Sequence, residues 1–131
     1  SSQDLTALGR LLEHMGEVDG AVSLYQKGAQ AAESAHTKLE PLLRQAKLHK
    51  RHGEYNRALP LWEQAAADGS LEALEELAKY YEHSTRQLEK ALVYTNQALR
   101  LLETNPDSIV FFRDFLHRQK RLAAKLQRRQ A

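Results

Sequence analysis

His49 and His52 stand three residues apart, a spacing that places two imidazoles on one helix face where they could ligate a metal ion. A metal centre needs more than two protein donors, no third ligand is evident, and the chain has no cysteine. The stronger reading of the pair is a polar helix contact and a cation near a helix C-terminus, where the helix dipole favours positive charge. His14, His83 and His117 have no recognisable partner. The serines and threonines fall in caps, turns or helices, with no nucleophile elbow and no accompanying His–Asp pair. No glycine-rich phosphate loop occurs. The expectation is therefore a chain without catalytic residues, cofactor or metal of its own.

Charge offers a second kind of chemistry. Residues 107–131 hold seven basic side chains, Arg113, Arg118, Lys120, Arg121, Lys125, Arg128 and Arg129, against Asp107 and Asp114. That is a local +5 on a chain of net +2, so residues 1–106 carry −3. Clustered Arg and Lys can hold phosphates, which makes nucleic acid a possible partner, but few aromatics are interleaved with them. Tyr25, Trp62, Tyr80, Tyr81 and Tyr94 could stack on bases. At helical spacing, however, core packing is the better reading, with Tyr80 the best candidate for exposure.

These residues must be positioned by helices. Leu, Ala, Glu, Lys, Arg and Gln dominate, while the 131 residues include only 6 Gly and 3 Pro, a composition that favours an all-α fold. Apolar residues recur at i, i+3, i+4 and i+7, predicting helices over 2–15, 18–32, 39–52, 55–67, 71–83, 88–102 and 107–128. Gly16, Gly53 and Gly69 suit helix C-termini, and Asn105-Pro106-Asp107-Ser108 reads as a stop and restart with Asp107 or Ser108 as the N-cap.

An internal repeat organises the chain. Its first copy is Leu5-x-x-Leu8-Gly9-x-x-Leu12, a turn at Gly16, then Ala21-x-x-x-Tyr25-x-x-Gly28. The second is Leu42-x-x-Gln45-Ala46-x-x-His49, a turn at Gly53, then Ala58-x-x-x-Trp62-x-x-Ala65. The third is Leu74-x-x-Leu77-Ala78-x-x-Tyr81, a turn near Thr85, then Ala91, Tyr94 and Ala98. Ala21, Ala58 and Ala91 are 37 and then 33 residues apart, whereas Gly16, Gly53 and Thr85 are 37 and 32 apart, as if one residue were added to the third turn. Gly9, Ala46 and Ala78 let paired helices approach, and Tyr25 and Trp62 fill the wider gaps beside them. Trp62 is expected to be buried. In the last helix Ile109, Phe112, Phe115, Leu116, Leu122 and Leu126 fall along one side, predicting a first half that caps the repeats and a solvated basic remainder.

This pattern resembles the tetratricopeptide repeat, which pairs a large apolar residue, a Leu-small dipeptide and an aromatic with Ala, aromatic and Ala in the second helix. Gly28, Gln45, His49 and Thr95 depart from it. The run from Ala65 to Leu74 is similar to the Sel1-like variant. The resemblance implies a right-handed superhelix of three antiparallel helix pairs over residues 1–106 (2–34, 39–69 and 71–103), with a basic amphipathic capping helix over 107–131. It also implies a concave groove lined by the first helix of each pair, exposing Arg10, His14, Arg44, Lys47, Lys50, Arg51 and Lys79, together with Glu72, Glu75 and Glu82. A solvated face is the plainer reading of these charges; an acidic peptide or a phosphate is the ligand such a groove would take. Ala7, Arg10 and Arg44 occupy positions where the family's carboxylate clamp has other residues, which disfavours that mode.

Residues 40–131 more narrowly resemble the C-terminal tail of bacterial proteins with an RNase H-like exonuclease domain in front. The matching strings are Tyr55-x-x-Ala58-Leu59-Pro60-Leu61-Trp62-Glu63 and Ala73-Leu74-Glu75-Glu76-Leu77-Ala78-Lys79-Tyr80-Tyr81-Glu82-His83. The nuclease's carboxylate motifs do not occur in this segment. Beginning at Ser1 without Met, the chain is expected to be a piece of something longer. No apolar run approaches the roughly 20 residues that span a bilayer, so the chain reads as soluble. The repeat pattern and the missing catalytic motifs give the expectation of a cytoplasmic protein–protein interaction scaffold, with a nucleic-acid-binding accessory domain as the alternative.

Overall fold

The computed structural model describes residues 1–105 and 108–130. All regular structure among them is helical: α1 (Ser2–His14), α2 (Val18–Ala31), α3 (Ala35–Arg51), α4 (Tyr55–Ala67), α5 (Leu71–Lys79), a π-helical turn (Tyr80–Ser84), α6 (Leu88–Thr104) and α7 (Ile109–Gln130). The chain divides into two compact units, Ser1–Ser70 and Leu71–Ala131. Each helix packs against its neighbour in sequence within its unit.

Several helix ends have local causes. Ser1 and Ser34 cap α1 and α3 by accepting hydrogen bonds from the amides of Asp4 and Thr37. Gly16, Gly53 and Gly69 have φ of +81°, +72° and +86°, the left-handed conformation that costs glycine least. Each is followed by a paired closure of the helix. The amides of Gly16 and Glu17 reach the carbonyls of Glu13 and Leu12, and the same two bonds recur at Gly53/Glu54 and Gly69/Ser70. The cap at Ser34 starts α3 four residues before the expected Leu39, carrying Pro41 inside the helix.

The first unit is built on close approach. Ala21, Tyr25, Ala46, Ala58 and Ala65 are fully buried, and Trp62 is 2% exposed. A Cβ on Gly9 would lie 2.7 Å from Cε1 of Tyr25, so the expected pairing of a small residue with an aromatic is present in its tightest form. Gly28 takes the usual alanine position for a similar reason: a Cβ there would sit 2.7 Å from Oγ1 of Thr6. Thr6 Oγ1 donates to the Ser2 carbonyl, and Ser2 Oγ donates to the Gly28 carbonyl at 2.7 Å. Gly9→Ala would press a methyl into a ring whose hydroxyl is tethered to Glu13. The expected loss is about 1–3 kcal/mol, read as a lower urea midpoint; an unchanged midpoint would show that the ring yields freely.

In the second unit α5 packs against α6, burying Ala73, Leu74, Leu77 and Ala78 of the first and Ala91, Ala98 and Leu102 of the second. Thr95 occupies the aromatic's place, fully buried, with its hydroxyl returned to the Ala91 carbonyl at 2.8 Å. Tyr94, one position earlier, stacks on Tyr81 at 5.7 Å between ring centres.

The last helix differs from its expected form. Phe115 and Leu122 are buried and Leu116 and Leu126 half-buried, but Ile109 and Phe112 are exposed. The helix packs against α6, where Gln119 donates to Asn96 at 2.7 Å. Asp107, one of the two proposed N-caps, lies outside the described residues; the Ser108 carbonyl accepts from the Phe112 amide, opening the helix.

Candidate functional site

Most of the cations expected to face a ligand are engaged within the fold. Arg10 and Arg44 both donate to Oε2 of Glu40, at 2.6 and 2.8 Å. Burial alone would raise the Glu40 pKa, but the hydrogen bonds from Arg44 and Arg10, then their charges, hold it below the ordinary carboxylate value. Arg51 lies 3.4 Å from Oε2 of Glu13, whose other oxygen accepts from Tyr25 at 2.6 Å. That phenol is pushed up to about 12, first by burial and then by the Glu13 carboxylate. Lys79 pairs with Glu76 at 3.1 Å. Lys50 is half-buried, while His14 and Lys47 remain exposed.

His49 and His52 are held apart in role. His49 is buried, with Nδ1 3.3 Å from Glu54 and Nε2 3.4 Å from Gln45. His52 is exposed and meets the Leu48 carbonyl at 2.8 Å. Among the described residues, no group of three potential ligands gathers around the pair.

The basic helix is not a solvated remainder, because its centre closes on Glu82. That carboxylate, expected in the groove, is completely buried. Arg118 reaches Oε1 at 3.1 Å, Arg121 donates to both oxygens at 2.8 Å, and Lys125 reaches Oε2 at 2.8 Å. Burial on its own would raise its pKa; the hydrogen bonds from Arg121 and Lys125, followed by the charges of Arg121 and His83, bring it down to about 2. Glu82 binds its own chain's cations and is not available to a partner. Arg113, Lys120 and Arg128 remain exposed, and Arg129 donates to the Arg86 carbonyl at 3.0 Å.

Two apolar surfaces lie outside these networks. On α1 and its C-cap, Leu8, Leu11 and Met15 are 47%, 53% and 63% exposed and share one side at i, i+3 and i+7. Leu8 was expected to pack in the first repeat, but α1 buries Ser2, Thr6 and Gly9 and turns Leu8 outward. In the second unit Ile109, Val110 and Phe112 are exposed at the start of α7.

Sequence reasoning missed the hubs Glu40 and Glu82. A signal existed for the second: Leu74, Ala78 and Glu82 follow one another at i+4, extending a buried line. Arg118, Arg121 and Lys125 likewise fall on one side of α7 with Leu122. The sequence matches no protein-family model, and no curated protein is similar enough to count as a relative.

Proposed function

We propose that this chain is a non-catalytic helical-repeat scaffold of the tetratricopeptide or Sel1-like kind that binds a protein partner, as an accessory module of a larger cytoplasmic protein. The repeat reading, with its right-handed superhelix, draws support from the turns. Gly16, Gly53 and Arg86 have positive φ, and each stands five residues before Ala21, Ala58 or Ala91. The turn residues are therefore spaced 37 and 33 apart, like the alanines, and the extra residue expected at Thr85 disappears once Arg86 is taken as the equivalent position.

The observation that carries the binding reading is the exposed stripe Leu8, Leu11 and Met15. Three large apolar side chains aligned on one helix are the form of a helix-in-groove or helix-on-helix contact. His14 borders the stripe, and Arg10 and Arg44 share the single carboxylate of Glu40, leaving a positive flank. An amphipathic partner segment with apolar anchors and acidic neighbours fits this surface. The same ion pairs weigh against the nucleic-acid alternative, because Arg10, Arg44, Arg51, Arg118, Arg121 and Lys125 are already committed to Glu40, Glu13 and Glu82.

A photo-crosslinking residue at Leu11 in the intact cell should give a discrete protein adduct. Leu8→Asp with Met15→Asp should abolish it without lowering helicity, since burying two such side chains is worth about 3 kcal/mol or more of binding. Fluorescence anisotropy with single-stranded and duplex oligonucleotides supplies the opposite outcome. Salt-sensitive binding lost on reversing Lys47, Lys50 and Arg51, or Arg113, Lys120 and Arg128, with no adduct at Leu11, would replace the protein partner by nucleic acid.

A further inference from the structure

Three turns of this chain are equivalent in position, but one is built differently. Gly16 and Gly53 meet the left-handed conformation with glycine; the third turn uses Arg86 at φ +54°. An arginine held there is disfavoured relative to glycine because its Cβ crowds the backbone. The π-helical turn Tyr80–Ser84 ends two residues before it. Irregularities of both kinds concentrate at functional sites.

Arg86 borders a cavity of about 500 Å³ whose walls are Glu82, His83, Arg86, Leu88, Lys125, Arg128 and Arg129. Glu82 is the one carboxylate in this wall, and it is shared among Arg118, Arg121 and Lys125. Even the buried cluster therefore keeps an excess of positive charge. Arg86, Arg128 and Arg129 add three arginines to the same wall. Arg129 is anchored by the Arg86 carbonyl at 3.0 Å, so the left-handed turn and the end of α7 are tied together across the cavity. Glu89 stands 4.0 Å from Arg129, outside the wall. The side chains of Arg86 and Arg128 have no hydrogen-bond or ion-pair partner among the described residues.

We infer that this cavity is a binding site for a small ligand bearing phosphate or pyrophosphate, held by Arg86, Arg128 and Arg129 with His83 at its edge. Planar guanidinium groups meet phosphoryl oxygens with two parallel donors, which a lysine surface does not offer. The volume admits a pyrophosphate group and an organic substituent; Leu88 supplies the apolar part of the wall. The site does not depend on the protein-partner reading, which concerns another helix.

The test is calorimetric titration of the full chain with inorganic pyrophosphate and, separately, with adenosine diphosphate, at constant ionic strength. Saturable binding should appear, and Arg128→Gln with Arg129→Gln should weaken it at least tenfold. Arg86→Gly should also weaken it while leaving the melting midpoint equal to or above the parent's, a combination that a merely structural role for Arg86 would not produce. Tighter binding of the diphosphate ester would assign the apolar wall to an organic group; equal affinities would confine recognition to the phosphoryl oxygens. No saturable heat with either probe, or affinity unchanged in the arginine variants, overturns the proposal.

Discussion

Glu82→Ala should be among the most damaging single substitutions in the second unit, costing about 3–5 kcal/mol at neutral pH. Its side chain is fully buried and accepts from Arg118, Arg121 and Lys125. Removing it leaves like charges crowded together. Arg118, only 12% exposed, suffers most, because its Nε already lacks a partner. Arg121 and Lys125 retain access to water, which places the loss toward the lower end of that range. Hydrogen exchange across α7 gives the local readout: amide protection should fall there in the variant. Glu82→Met combined with Arg118→Met should recover part of the loss, because the pair's charges are removed together. Unchanged α7 protection in Glu82→Ala would refute the anchoring role.

The same carboxylate sets an acid limit. Its folded pKa of about 2 lies below the ordinary 4.5, so its contribution is present in full above pH 4.5. It is lost as pH falls from there toward 2, and is worth about 3 kcal/mol over that window. The Glu82→Ala variant should lack this part of the acid dependence.

The helices were legible from their apolar period, and three of their ends from Gly16, Gly53 and Gly69, which close through bonds to residues only a few positions away. The cap at Ser34 was overlooked, so α3 was expected to start at Leu39. The buried places of Tyr25 and Trp62 were equally plain from their spacing to small residues. Arg86 was not: left-handed backbone predicts glycine, and the turn was expected near Thr85. Glu82 was misplaced because its charge outweighed its register; the i+4 line from Leu74 through Ala78 already pointed inward. Leu8 failed in the opposite sense. A leucine at a repeat position reads as core, but burial depends on which neighbour is present, and α1 packs through Ser2, Thr6 and Gly9. The paired cations illustrate the general difficulty: Arg10 and Glu40 are 30 residues apart and Arg118 and Glu82 are 36 apart, so only the fold reveals that they are paired.

Trp62→Ala should cost the first unit about 3–5 kcal/mol, the second large effect expected in this chain. The indole is 2% exposed, Ala58 and Ala65 beside it on α4 have no accessible surface, and Tyr55 lies 6.2 Å away between ring centres. Alanines at those positions bring the backbones close and cannot extend into the vacated space. The cavity would therefore persist instead of collapsing. Trp62→Phe keeps an aromatic ring in place and should cost less than half as much. Because Trp62 is the sole tryptophan, its emission reports this packing directly. Native protein should emit at the short wavelengths of a buried indole and shift red on unfolding. A native spectrum already at the water-exposed position, or a denaturation midpoint that Trp62→Ala leaves unmoved, would exclude Trp62 from the core of the first unit.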